Sequence, residues 1–123
     1  MRAWTSPEGI VVDLGPTREP VVAILQGALP DGPWRDLHEF LVLETNGTPR
    51  KRCIVRTWSL DDELGATAYS IVGGELRELR VSLWTTERPR VDRREELVAG
   101  NLQELPPGPD PAWEVVRRAV AIL

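Results

Sequence analysis

Alternation of apolar and polar residues dominates the middle of the chain and predicts two consecutive antiparallel β-hairpins. The first hairpin is centred on Asn46-Gly47, the dipeptide that most readily supplies the positive φ angles of a type I′ turn. The second is centred on Gly73-Gly74, where neither residue carries a Cβ that would oppose such angles. The four strands of these hairpins are expected at residues 37–45, 49–58, 66–72 and 75–85.

Two further β segments are predicted before the hairpins, at residues 10–14 and 20–26. Both are rich in β-branched residues, and Gly15-Pro16 separates them. Residues 27–34 contain two glycines and two prolines, so a loop is expected there. Together these segments predict a mostly antiparallel sheet of about six strands.

The C-terminal third predicts two helices. Asp92 and Glu95 have the spacing of a capping box, so a short helix is expected near residues 92–99. Asp110-Pro111 indicates a helix cap followed by proline at the first helical position. The apolar residues that follow recur three to four apart and predict a helix over residues 111–123, packed on one face of the sheet. The sequence thus predicts an α+β fold, with residues 1–123 forming a single domain.

Strand periodicity assigns the side chains of the hairpins to faces, provided that both turns contain two residues. His38, Phe40 and Cys53 then share an apolar face, which is the expected core. In the second hairpin the small Ala66 and Ala68 share a face with larger leucine and valine residues, a pattern that suits a docked helix. The opposite face is rich in arginine and aromatic residues, and its candidate binding residues are Arg52, Arg56, Trp58, Tyr69, Arg80 and Trp84.

Composition indicates a folded chain with few potential catalytic residues. Of the 123 residues, 41% are hydrophobic and 28% are charged, as in ordinary globular domains. The single cysteine excludes an internal disulfide, a zinc knuckle and a two-cysteine redox motif. No signal peptide and no membrane-spanning run is recognisable, so we expect a cytoplasmic location and no membrane partner.

Three local clusters are candidates for chemical sites. His38 and Cys53 could form a nucleophile and base pair, although a lone strand cysteine is usually a small core residue. The acidic run Asp61-Asp62-Glu63 could hold a hard cation, but Ser59 before it favours a helix start with acidic residues in its first turn. Gly73-Gly74 lacks the context of a phosphate loop. No metal or cofactor is predicted.

Three explanations compete for the arginine and aromatic face. Other elements could cover it, with the arginines extending to its edges. It could bind a protein partner or a second copy of the chain, since Trp, Tyr and Arg are enriched in interfaces. It could also bind single-stranded nucleic acid, helped by Arg50-Lys51-Arg52 and by the arginines between residues 88 and 94. The net charge of −4 opposes that third explanation.

The sequence therefore favours a non-catalytic accessory or regulatory module that binds a protein partner or forms a homodimer. The first alternative is a small enzyme or ligand-binding domain whose pocket lies between the sheet and the C-terminal helix. That pocket would be lined by His38, Phe40, Cys53 and Val55. The second alternative is single-stranded nucleic-acid binding through the arginine and aromatic face.

Overall fold

The chain folds into two antiparallel sheets that pack on each other. The computed structural model describes residues 1–85 and 90–123, and these residues form nine strands. In chain order they are β1 (Ala3–Ser6), β2 (Gly9–Pro16), β3 (His38–Leu43), β4 (Pro49–Cys53), β5 (Arg56–Leu60), β6 (Glu63–Val72), β7 (Glu75–Trp84), β8 (Arg90–Ala99) and β9 (Gln103–Glu104). The first sheet has the order β4-β3-β2-β1-β9, and the second has the order β5-β6-β7-β8. The α+β class is confirmed, but nine strands in two sheets replace the expected six strands in one.

Two α-helices and one 3-10 turn complete the described fold. Helix α1 is Ala23–Ala28, the 3-10 turn is Pro33–Arg35, and helix α2 is Pro111–Ala121. Helix α2 begins where expected, because the Asp110 carboxylate accepts a hydrogen bond from the backbone N–H of Ala112 at 2.8 Å. The longer of the two helices has 11 residues, and no helix in the described ranges is long and apolar enough to cross a membrane.

The predictions for residues 20–26 and 92–99 were wrong. The expected strand at residues 20–26 is replaced by α1, because Leu25 and Ala28 are buried when the segment is helical. The expected helix near residues 92–99 is instead strand β8, paired with β7 from Arg90 to Ala99. The capping-box spacing was a local signal, and strand pairing over ten residues outweighed it.

Both glycine-containing hairpins form, but their turns differ. At Gly73-Gly74 both residues have positive φ angles, of 57° and 75°, and Val72 pairs with Glu75 in the expected two-residue turn. At Asn46-Gly47 the turn contains three residues, since Glu44 donates its backbone N–H to the carbonyl of Thr48. A bulge at Arg50 in β4 then restores the register, so that Phe40 lies opposite Cys53 as expected.

The expected single strand at residues 49–58 is in fact two strands in different sheets. Strand β4 ends at Cys53 and pairs with β3, whereas β5 begins at Arg56 and pairs with β6. The chain therefore crosses from the first sheet to the second at Ile54 and Val55. Residues on the two sides of this crossing cannot belong to one continuous face.

Three apolar clusters hold the layers together. Helix α2 covers the outer face of the first sheet, with Val116 packed against Leu41 and Leu43. The inner face of the first sheet packs on the second sheet around Phe40 and Cys53. The other face of the second sheet carries Ala68, Leu79 and Val81, and it is covered by α1 and the 3-10 turn. The expected docking of a helix on the small alanines is thus confirmed.

Candidate binding face

Five of the six predicted binding residues lie on one face of the second sheet. Thr67 pairs with both Arg56 and Arg80, so these two arginines point to the same side of the sheet. Alternation along the strands places Trp58, Tyr69 and Trp84 on that side as well. This is the side that also faces the first sheet.

Arg52 lies apart from the other five. It belongs to β4, where it pairs with Leu41, and its side of the first sheet is the one that packs against α2. The prediction that Arg52 shares a surface with Arg56 and Trp58 was therefore wrong. The cause is the crossing at Ile54 and Val55, which the uniform β pattern of residues 49–58 does not reveal.

Tyr69 lies at the covered end of the face. It is buried between the sheets with Phe40 and Cys53. Its hydroxyl donates a hydrogen bond to the Glu78 carboxylate at 2.8 Å, and the ammonium of Lys51 lies 3.3 Å from the same carboxylate. Burial, together with the bond to Glu78, raises the pKa of the Tyr69 hydroxyl. The structure thus places Tyr69 in the core that joins the two sheets.

Trp58 lies at the other end, where the first sheet no longer covers the second. Its ring rests on Gly65 in the neighbouring strand, so closely that a Cβ at Gly65 would lie 1.9 Å from the ring. The guanidinium carbon of Arg80 lies 4.8 Å from the ring centroid, within the range of a cation–π contact. A glycine and an arginine therefore hold a half-buried tryptophan in place.

Trp84 is held in a similar way on β7, which is separated from the strand of Trp58 by β6. Its indole N–H donates a hydrogen bond to Asp92 in β8 at 2.9 Å. The guanidinium carbon of Arg90 lies 5.1 Å from its ring centroid, and Arg90 also forms a 3.5 Å ion pair with Asp92. Trp84 is half-buried, like Trp58.

We call this uncovered region the Arg–Trp face. It comprises Arg56, Trp58, Leu60, Arg80, Trp84 and Arg90. Leu60 is 64% exposed, and the side chains of Arg56 and Arg80 are exposed as well. In the parts of the chain that the structure describes, no carboxylate oxygen lies within 4.0 Å of a guanidinium nitrogen of Arg56 or Arg80. The face therefore combines apolar area with two arginine charges that lack an ion-pair partner in these ranges.

An acidic turn lies at the end of the Arg–Trp face. Leu60 pairs with Glu63, so Asp61-Asp62 forms the two-residue turn of a β5–β6 hairpin. The expectation of a helix start after Ser59 was wrong. An open depression of about 770 Å³ lies between this turn and Trp84. The face therefore has an acidic end as well as an arginine end.

The pair of His38 and Cys53 does not form a nucleophile and base. Cys53 is fully buried opposite Phe40, and burial raises the pKa of its thiol to about 11. His38 instead directs Nδ1 to the Asp13 carboxylate at 2.9 Å, while its Nε2 lies 3.5 Å from Asp36. The hydrogen bond to Asp13, with a smaller contribution from Asp36, raises the pKa of His38 despite partial burial.

The cavities near His38 are small. One of about 240 Å³ lies between the sheets and is lined by His38 and Phe40, but Cys53 and Val55 do not line it. A second, of about 310 Å³, lies between His38 and Val120 of α2. A larger cavity of about 480 Å³ lies beside α1, away from all four residues of the expected pocket. Among residues 1–85 and 90–123, no three carboxylate, histidine or cysteine side chains cluster as metal ligands would.

Comparisons of the chain with protein-family models, curated proteins and solved structures found no match.

Sequence reasoning missed three contributors to the Arg–Trp face. Gly65 interrupts a strand, and a glycine there often marks a close approach by another group, so a signal was present. Leu60 was assigned to a helix start instead of a strand. Arg90 was named only in the basic stretch considered for nucleic acid and was not placed beside Trp84, because a helix instead of a β7–β8 pairing was expected near residues 92–99. Arg88 and Pro89, which belonged to the basic stretch considered for nucleic acid, lie outside the described residues.

Proposed function

We propose that this protein is a non-catalytic binding module that recognises an acidic, partly apolar segment of a partner protein through the Arg–Trp face. The observation that carries the proposal is the pairing of Trp58 with Arg80 and of Trp84 with Arg90 at the end of the second sheet that the first sheet leaves uncovered. Tryptophan and arginine dominate the energetics of protein interfaces, and here they lie together at an exposed site.

Both tryptophan side chains are preorganised for binding in the unbound protein. The ring of Trp58 rests on Gly65, and the indole of Trp84 is hydrogen-bonded to Asp92. Side chains that are already ordered lose little conformational entropy on binding, so more of the contact energy contributes to affinity. The exposed Leu60, on the same face of the sheet, enlarges the apolar area that a partner can cover.

Charge indicates the chemistry of the partner. Arg56 and Arg80 project from one row of the sheet, separated only by Thr67. A carboxylate on the partner could accept hydrogen bonds from either guanidinium, and such charge-assisted bonds are stronger than neutral ones. The acidic turn at Asp61-Asp62 makes one end of the face negatively charged. A bound segment should therefore place its acidic residues away from that turn.

Single-stranded nucleic acid is disfavoured as the ligand by the same contacts. Bases bind to such proteins by stacking on free aromatic rings. One face of Trp58 is taken by Gly65, and Arg80 lies over the ring. The net charge of −4 adds a repulsion against phosphate.

An enzyme centred on Cys53 is disfavoured by its raised thiol pKa, because the thiolate is the reactive form. A buried lone thiol is compatible with a reducing compartment, so the cytoplasm remains part of the proposal.

Selection from a displayed library of random peptides tests this function. The wild-type protein should enrich peptides that combine Asp or Glu with aromatic or aliphatic residues. The double variant R56E/R80E should bind those peptides at least about 10-fold more weakly, because two attractions become repulsions. Arg50→Glu is the matched control, since Arg50 is an exposed strand arginine in the other sheet, and it should bind normally.

Two results would contradict the proposal. One is a selection that enriches no acidic-apolar sequence, and the other is binding that survives in R56E/R80E. A fluorescently labelled oligothymidylate provides the parallel test of the nucleic-acid alternative. We expect it to bind no better than a buffer control at moderate salt.

A further inference from the structure

Strand β8 is a long and exposed edge of the second sheet. It pairs with β7 alone, so its outward backbone N–H and C=O groups have no strand partner in the described structure. Eight of its ten residues are exposed, from Arg90 to Leu97. Such an edge is a template for pairing with another strand.

The charges on β8 are poorly matched to its own neighbour. Arg94 lies directly opposite Arg80 in β7, and Glu96 lies directly opposite Glu78. Like charges opposite each other in a sheet are destabilising. Both mismatches are on the side of the sheet that carries Trp84.

We propose that two copies of the chain pair through their β8 strands to form a continuous eight-stranded sheet. The two β8 strands run antiparallel, and the two-fold axis lies midway between their Arg93 residues. An axis perpendicular to the sheet keeps the two faces distinct, so residue i lies opposite a residue of the same face in the second copy. In this register Asp92 of each copy lies opposite Arg94 of the other. Arg90 of each copy likewise lies opposite Glu96 of the other.

The register adds further opposite charges to each β8. Within one strand Arg94 and Glu96 already form a 3.6 Å ion pair. In the dimer Arg94, which faces Arg80 on one side, also gains a carboxylate of the other copy, and Glu96, which faces Glu78, also gains a guanidinium. Four pairs of opposite charge form across the junction, and no pair of like charge occurs on that face.

The second face of the junction carries one mismatch, where Arg93 meets its own symmetry copy. Each Arg93, however, already donates its Nε–H to the backbone carbonyl of Ala28 in the same chain, at 2.7 Å. That bond directs the two guanidinium groups towards their own α1 helices.

Neighbouring registers fit worse. A shift of the axis to Arg94 places the two Arg94 residues opposite each other and brings Asp92 opposite Glu96. A shift to Asp92 places the two Asp92 residues opposite each other and brings Arg90 opposite Arg94. The charge pattern therefore selects one alignment, which a generally charged, protective edge would not need to do.

This inference depends on the edge of the sheet, and it shares only Arg90 with the Arg–Trp face. Sedimentation of the purified wild-type chain at concentrations from about 10 μM to about 500 μM tests it directly, since small interfaces dissociate in that range. We expect a reversible equilibrium between monomer and dimer. A chain that remains monomeric throughout would overturn the proposal.

The double variant R94E/E96R gives the sharpest test. It leaves the net charge unchanged and converts both mismatches with β7 into pairs of opposite charge. In the dimer, however, it converts all four junction pairs into like pairs. We therefore expect a fold at least as stable as the wild type and a dimer weakened by at least about 100-fold. An unchanged dimer would overturn the proposed register.

A second variant, R90E/D92R, should restore pairing only in a mixture. Alone, it too creates four like pairs and should be monomeric. Mixed with R94E/E96R, it creates four opposite pairs, so a heterodimer should form. Arg50→Glu, on the edge strand of the other sheet, should dimerise as the wild type does. Loss of the dimer in that control, or no heterodimer from two folded variants, would contradict β8 pairing.

Discussion

The two sheets of this protein use similar strands for different purposes. The first sheet is covered on both faces, by α2 on one side and by the second sheet on the other, and Trp4 within it is only 5% exposed. The second sheet extends beyond this cover, and its Trp58 and Trp84 remain half-exposed beside arginines. The difference shows that an aromatic residue in a strand becomes core when another layer covers that face of the sheet, and remains at the surface when no layer does.

Removal of a large side chain should have its greatest effect in the first sheet. Leu43 is fully buried against α2, so Leu43→Ala should lower the free energy of unfolding by about 3 kcal/mol. Leu60→Ala, in the Arg–Trp face, should change it by less than about 0.5 kcal/mol. Urea denaturation of both variants measures the contrast. Equal losses would show that the two sheets are equally covered.

The glycine beneath Trp58 offers the next largest effect. Gly65→Ala places a methyl group where the ring now lies, so it should cost roughly 1–3 kcal/mol and displace the ring. Tryptophan fluorescence should shift, and acidic peptides should bind more weakly. Gly27→Ala is the matched control, because a Cβ there meets nothing within 4 Å and should stabilise α1 by about 0.5–1 kcal/mol. A normal Trp58 environment in Gly65→Ala would contradict the contact.

A smaller loss is expected where the two sheets meet. Tyr69→Phe removes the hydroxyl that donates to Glu78, and the free energy of unfolding should fall by about 1 kcal/mol. Peptide binding should be unaffected, because Tyr69 lies in the core and away from the Arg–Trp face. Thermal unfolding and a peptide titration check the two parts. Weaker binding with unchanged stability would assign Tyr69 to the binding surface instead.

The smallest effect is the pH dependence contributed by His38. Its pKa in the folded state is raised from 6.5 by the hydrogen bond to Asp13, so the folded state binds this proton more tightly than the unfolded chain does. The resulting stability is fully present below pH 6.5 and is lost as the pH rises through the raised folded-state pKa. His38→Gln should remove this part of the pH profile, because His38 is the chain's single histidine. An identical profile in the variant would contradict the assignment.

Local signals predicted some elements well. Gly73-Gly74 and Asp110-Pro111 were sufficient for a turn and a helix start, because positive φ angles and helix caps depend on adjacent residues. Segments whose structure depends on distant partners were missed. Helix α1 follows Val21 and Val22 and contains Ile24, and it forms because the second sheet offers it an apolar surface. Strand β8 has good helix formers and forms because β7 offers it a partner.

The candidate site was predicted only in part, again because local signals do not reveal contacts with distant segments. Residues within one hairpin, such as Trp84 and Arg80, were placed together because strand alternation is regular. Arg52 was misplaced because nothing at Ile54 and Val55 marks the point where the chain changes sheets. Whether a sheet face is covered is a property of the assembled fold, so the contrast between Tyr69 and Trp58 became visible only in the structure.

The five tryptophans allow peptide binding at the Arg–Trp face to be tested within one spectrum. A ¹⁵N-labelled wild-type sample can be titrated with a selected acidic-apolar peptide while the five indole N–H signals are followed. We expect the Trp58 and Trp84 signals to shift with the peptide and those of Trp4, Trp34 and Trp113 to stay in place. Shifts confined to the latter three, or none at saturating peptide, would contradict the claim that the uncovered end of the second sheet is the binding surface.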